Sequence, residues 1–187
     1  MRLDALEGGF ADAPREAAFA FRAAMTAMAC PGRIHRLRGA LPPAPMSPAA
    51  GTILLTLADA DTPVHLSGAH DAPEIKRWLA FHTGASLAEP SRAVFAVGTW
   101  DALMPLDGYP VGTPEYPDRS ATLIVERGAL ISEGSHLTGA GIEGSCALNL
   151  PDPAAHHANN MRFPLGVDIF FTCGDRIAAL PRSTRIG

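Results

Sequence analysis

Phe163-Pro164-Leu165-Gly166-Val167-Asp168, continuing as Ile169-Phe170-Phe171-Thr172-Cys173-Gly174-Asp175-Arg176 and on to Pro181-Arg182-Ser183-Thr184-Arg185, decides the fold of this chain. Two apolar runs flank a Cys-Gly-Asp turn, the pattern of a β-hairpin with buried strands. Polar and cationic residues stand at its outer ends. Burying the hairpin is expected to leave Asp168 at one rim and Arg182, Thr184 and Arg185 at another, where rigid strand ends present chemistry.

Upstream, punctuation marks a series of helices and strands. A helix is expected after Asp12 or Ala13, with Pro14 in its first turn, where a missing N–H is harmless. Its alanine-rich run reaches Cys30 and stops at Pro31-Gly32. Arg33 to Leu37 alternates like a strand. After the proline-rich Leu41 to Pro45, Ser47-Pro48 caps a second helix ending near Ala58. Pro63 to Leu66 reads as a strand, and Asp71 to Glu74 opens a third helix reaching Thr83-Gly84. Ala93 to Val97 and Ala121 to Val125 read as strands on either side of a Pro/Gly-rich loop from Pro105 to Pro117. More strand is expected near Leu137, and Asp152-Pro153 caps a short helix before the hairpin.

This alternation predicts an α/β fold whose central sheet is covered by helices on both faces, with the antiparallel closing pair making the sheet mixed. The expectation is one three-layer α/β/α domain over residues 1–187, without internal repeats. A chain of this length buries roughly two thirds of its unfolded surface.

Composition excludes several classes. The chain is 47% apolar and 18% charged, so it carries a core and is not disordered. A net charge of −4 with no basic run argues against nucleic acid or an anionic membrane as partner. Met1 to Gly9 lacks the apolar stretch of a signal peptide, and the longest apolar runs are too short to span a bilayer. Cys30, Cys146 and Cys173 are scattered and odd in number, which points to reduced, cytoplasmic thiols. No HExxH or Cys/His spacing suggests a metal.

Candidate chemistry is sparse. Asp59 and Asp61 lie past a helix C-terminus, where the dipole disfavours negative charge. They either cap the Asp-Thr-Pro turn or bind a partner or polar ligand. His82, at the end of the third helix, either bonds the last carbonyls or acts as an acid–base group. His156 and His157 are adjacent and so point apart on a helix. Gly139 to Gly144 spells GxGxxG, but Pro151-Asp152-Pro153 follows too soon for the phosphate-binding helix, and a tight turn or bulge fits better. Arg182, Thr184 and Arg185 either cradle a phosphate or phosphonate or form a solvated strand end. Arg22 interrupts an apolar helical stretch, as an arginine paired at an edge or interface does.

Several ordered blocks resemble one family. Phe21-Arg22, Ala27-Met28 and Pro31-Gly32 are followed by Leu54-Leu55-Thr56-Leu57-Ala58-Asp59 and Asp61-Thr62-Pro63-Val64. Phe81-His82-Thr83, Leu137 to Ile142 and the closing hairpin complete the set. Together these blocks are similar to the PhnH subunit of the bacterial carbon–phosphorus lyase system, which degrades phosphonates. The resemblance implies the fold of the large domain of pyridoxal-phosphate-dependent transferases, without the cofactor. Lys76, the one lysine, lies in an ordinary helix away from the family blocks, and a Schiff base needs a lysine. No cofactor is expected.

The resemblance further implies a homodimer that joins PhnG, PhnI and PhnJ, transiently with PhnL and PhnK. That assembly replaces the adenine of ATP with methylphosphonate to give α-D-ribose 1-methylphosphonate 5-triphosphate, and PhnJ later cuts the carbon–phosphorus bond. The role implied for this chain is accessory. Arg22, Asp59, Asp61, Thr62, His82, Asp168 and Arg182 become candidates for ligand or subunit contact. The loop from Trp100 to Asp118 departs from the family, and nothing is carried over there. Two other classes stay open. A stand-alone hydrolase or transferase would use His82 with Asp59 or Asp61, and a nucleotide-binding regulatory module would use the glycine turn near Gly139.

Overall fold

Among the described residues, four of the five α-helices begin with a proline in the first turn, and the first and third stop against Pro31 and Gly84. The computed structural model describes residues 6–187, so the reading of Met1 to Ala5 lies outside the described residues. α1 spans Ala13–Ala29, α2 Pro48–Leu57, α3 Pro73–Thr83, α4 Trp100–Leu103 and α5 Pro153–Asn160. α1, α2, α3 and α5 each carry a proline in the first turn. Ser47 caps α2, its hydroxyl accepting from the Ala50 N–H at 3.2 Å, and Asp152 caps α5 in the same way. α3 stops on Gly84, whose φ of +71° is the left-handed conformation that glycine tolerates.

The strands are β1 (His35–Arg36), β2 (Val64–Leu66), β3 (Phe95–Thr99), β4 (Thr122–Glu126), β5 (Ser135–Thr138), β6 (Cys146–Leu148), β7 (Asp168–Cys173), β8 (Arg176–Leu180) and β9 (Arg185–Ile186). Six of them form a sheet in the order β1-β8-β7-β4-β3-β2. β2, β3, β4 and β7 run parallel, while β8 returns antiparallel to β7 and β1 antiparallel to β8. The sheet is mixed, as expected. The closing hairpin turns at Gly174-Asp175 with Cys173 opposite Arg176.

Period-two alternation divides the core. Phe95, Val97, Ile124 and Phe170 face α1, α2 and α3, where Ile53, Leu54, Trp78 and Leu79 are sealed from water. Leu123, Val125, Ile169 and Phe171 face the other way, onto Trp100, Leu103, Leu137 and Leu148. α1 meets its neighbours through Ala20, Ala24 and Ala27, a stripe of small residues that lets the helix approach closely.

The second face corrects the symmetric three-layer expectation. It is covered by a small sheet, β6-β5-β9, with α4, α5 and irregular chain, and not by a full helical layer. Cys146–Leu148, a run to which the sequence assigns no element, pairs with β5, and the glycines 139, 141 and 144 lie in the connection between β5 and β6. The strand expected over residues 33–37 shortens to His35–Arg36. That expected from Ala93 begins at Phe95, whose N–H donates to Pro63 O as the parallel pairing with Val64 starts.

Candidate functional site

The parallel strands begin at one edge of the sheet, and most of the candidate residues gather there. Helices that cross back over a parallel sheet end where the strands start. The chain after α2 therefore brings Asp59, Asp61 and Thr62 to this edge, and the end of α3 brings His82. A Cβ added at Gly84 would lie 3.9 Å from the Ala60 Cβ, which shows how closely the two helix ends meet. Asp168 opens β7 and Arg182 follows β8 at the same edge.

The hairpin therefore brings Asp168 and Arg182 together, contrary to the expectation of separate rims, since an antiparallel pair returns both outer ends to one side. Asp168 Oδ1 accepts from the Arg182 backbone N–H at 2.9 Å and from Nε at 3.1 Å, and Oδ2 accepts from Nη2 at 2.6 Å. Arg182 Nη1 also donates to Pro117 O at 2.7 Å, and Nη2 to the Ser120 hydroxyl. With side chains only 12% and 24% exposed, this pair joins the hairpin to the loop before β4. Its guanidinium is saturated, so Arg182 does not form an anion cradle with its neighbours. Thr184 is buried with its hydroxyl unpartnered, and Arg185 stands exposed on β9.

Asp59 and Thr62 close the turn expected of them. Thr62 Oγ1 accepts from the Asp59 N–H at 2.6 Å, while Asp59 Oδ1 accepts from Asp61 N–H at 3.0 Å and from the Thr62 hydroxyl at 3.1 Å. Asp61 offers an exposed carboxylate on that turn. His82 does not bond the last carbonyls of its helix, and among the described residues no hydrogen bond or ion pair joins it to Asp59 or Asp61. Its ring packs against Trp78 and Phe81, with centroids 5.0 and 4.9 Å away, and a Cβ at Gly9 would reach within 2.6 Å of it. The N-terminal segment thus covers the ring, and Nε2 is buried without a partner. Arg22 is exposed on α1 and forms no ion pair among the described residues, which leaves its guanidinium available at the surface of that helix.

Next to Asp168 lies an apolar groove of about 660 Å³ between α1 and the strand starts. Phe21, Met25 and Met28 form one wall, Leu57, Phe95 and Phe170 the other, and the turn at Ala140-Gly141 closes one end. Gly141 has a φ of +80°, and a Cβ there would stand 1.9 Å from Ala29 O. No side chain can occupy this contact, which locks the connection between β5 and β6 onto the end of α1.

The opposite edge, where parallel strands end and open α/β sheets commonly bind ligands, is filled from within. Glu126 closes β4 with Oε1 accepting from Ser47 N–H at 2.6 Å and Oε2 accepting from the Thr172 hydroxyl at 3.0 Å. Buried His70 stands 3.9 Å from this carboxylate with both ring nitrogens unpartnered. Burial lowers its pKa, against the upward pull of Glu126. Behind the sheet, His156 lies between Trp100 and Phe171, with centroids 4.6 and 5.7 Å away, and burial pushes its pKa down to about 4. Sequence reasoning passed over Glu126 and His70. A carboxylate ending an apolar strand was the available signal for the first, whereas nothing local marked the second.

Comparison with known proteins adds what geometry alone leaves open. Residues 8–187 match the family model described as bacterial phosphonate metabolism protein (PhnH). The chain is 42% identical to the α-D-ribose 1-methylphosphonate 5-triphosphate synthase subunit PhnH of Rhizobium meliloti (strain 1021), over 96% of this chain and 94% of that one. It is 32% identical to a protein of Stutzerimonas stutzeri named "Putative C-P lyase subunit protein HtxG", over 96% and 95% of the two chains. A family match across nearly all the described residues, carried by a sheet whose closing hairpin is pinned by Asp168 and Arg182, makes this chain a member of the PhnH family.

Proposed function

We propose that this chain is the accessory PhnH-type subunit of the synthase that makes α-D-ribose 1-methylphosphonate 5-triphosphate from ATP and methylphosphonate, working with PhnG, PhnI and PhnJ. The observation that carries the reading is the end-to-end similarity to a subunit bearing that synthase's name. The geometry agrees with it. The candidate acid–base residues are occupied or separated, with Asp59 held by Thr62 and His82 packed beneath the N-terminal segment. The edge where a ligand would ordinarily sit is sealed by Glu126 and its partners. A subunit that positions others has no need of a catalytic constellation. A homodimer in the cytoplasm, the fold of the pyridoxal-phosphate enzymes and no bound cofactor belong to the same reading. No helix among the described residues is long and apolar enough to cross a membrane.

Light scattering tests it, on the chain alone and after coexpression with PhnG, PhnI and PhnJ from the same organism. A dimer that enters a stoichiometric complex is the expected result, and a chain that never associates overturns it. Within the assembled synthase, Asp59→Ala and His82→Ala are expected to leave methylphosphonate-dependent adenine release within about threefold of the parent. Loss of turnover with assembly intact would instead make one of these residues catalytic.

A further inference from the structure

Helix α1 is built inside out. Its buried residues are alanines, 20, 24 and 27, whereas of its large apolar side chains only Met28 packs against the core. Phe19, Phe21 and Met25 are 60%, 48% and 56% exposed. A surface helix normally turns such residues toward the core. Phe21 and Met25 continue into the groove that both line, and exposed apolar surface of this kind marks a place where something else binds. The groove continues this surface inward, and the one carboxylate in its lining, Asp168, is neutralised by Arg182. An apolar knob could therefore enter without stranding a charge.

The charges on α1 indicate the occupant. Arg15 lies with its guanidinium 5.9 Å from the Phe19 ring centroid, and Arg22 stands three residues before Met25 on adjoining turns. The helix has one carboxylate, Glu16, which is engaged in accepting the Asp12 N–H at 2.8 Å. The exposed face is thus apolar and cationic. An isologous contact centred on it would set arginine against arginine, because a two-fold axis repeats the same patch on both sides. A segment of opposite charge meets no such repulsion. Beyond Leu57, at the other side of the groove, stand Asp59 and Asp61, so the acidic flank of the occupant belongs against α1.

We infer that the outer face of α1 and its groove take a segment from a different subunit of the synthase, one that presents an apolar side chain flanked by a carboxylate. The inference rests on the subunit reading above. Its test is the affinity of the fluorescently labelled chain for a purified PhnG–PhnI–PhnJ assembly, read by anisotropy, with self-association followed by light scattering. Arg22→Glu and Met25→Asp, both at exposed positions, are expected to weaken entry at least tenfold. Arg22→Lys is expected to retain most of the affinity, and the melting temperatures and dimer mass should stay unchanged. If the parent chain binds and both variants bind equally well, the docking face is wrong and the subunit reading stands. If the variants lose self-association and keep assembly, the face serves a second copy of this chain and the inference fails. If the parent chain itself does not bind, both readings fall.

Discussion

Arg182 shows how one side chain can fix a tertiary arrangement. It holds both oxygens of Asp168 and reaches Pro117 O and Ser120 on a loop more than sixty positions away. Removing one member of a largely buried pair leaves the other uncompensated, at about 3 kcal/mol. Arg182→Ala is therefore expected to lower unfolding stability by about that amount in urea melts, and Asp168→Asn by less, since the amide keeps an acceptor for the backbone N–H. His156 gives the molecule an acid limit. Its folded pKa of about 4 lies below the ordinary 6.5, so the unfolded chain takes up a proton first as pH falls. The stability it contributes is complete above about pH 6.5 and declines by about 3 kcal/mol toward pH 4. The melting temperature of the parent chain should fall across this window. His156→Phe, which suits a site between Trp100 and Phe171, should flatten most of the slope, leaving a residue from His70, whose pKa is also lowered.

At the level of elements, local signals carried far. The prolines that open α1, α2 and α3, the Pro31 and Gly84 that stop α1 and α3, and the Gly174 turn were legible, because each reflects a backbone restriction that acts within a few residues. Ser47 is a direct case: Ser47→Ala should cost α2 about 1 kcal/mol, measurable by thermal melting, while Ser47→Gly should cost only a few tenths. The backbone N–H that Ser47 donates to Glu126 survives both changes, so the cap is measured alone. What remained illegible was decided between distant segments. The short β6 owes its existence to β5, and the outward turn of Phe19, Phe21 and Met25 around Arg22 has no local sign in an apolar run. The hairpin was read correctly, yet its two ends were set apart, since the rule that joins them concerns pairing and not pattern. At the candidate site, the Asp59–Thr62 turn was readable from five residues, whereas the cover that Gly9 places over His82 was not.

At the scale of the whole molecule, chain order and spatial order disagree. The sheet runs β1-β8-β7-β4-β3-β2, so the two strands joining its first-made edge to the remainder come from the end of the chain. A ribosome releases α1, α2 and α3 long before Phe170 and Ile177 exist to receive them, and β1 waits at position 36 for a partner at position 176. Contacts of such separation are slow to form and leave apolar surface exposed meanwhile. A fragment ending at residue 162 would contain every helix and still lack the centre of its sheet. It should digest as rapidly as an unfolded chain under limited proteolysis, where the full chain resists. The nascent polypeptide thus carries its helices over three parallel strands while the strands that complete the sheet are still to be made, a period in which a holding chaperone would shield the apolar face left open.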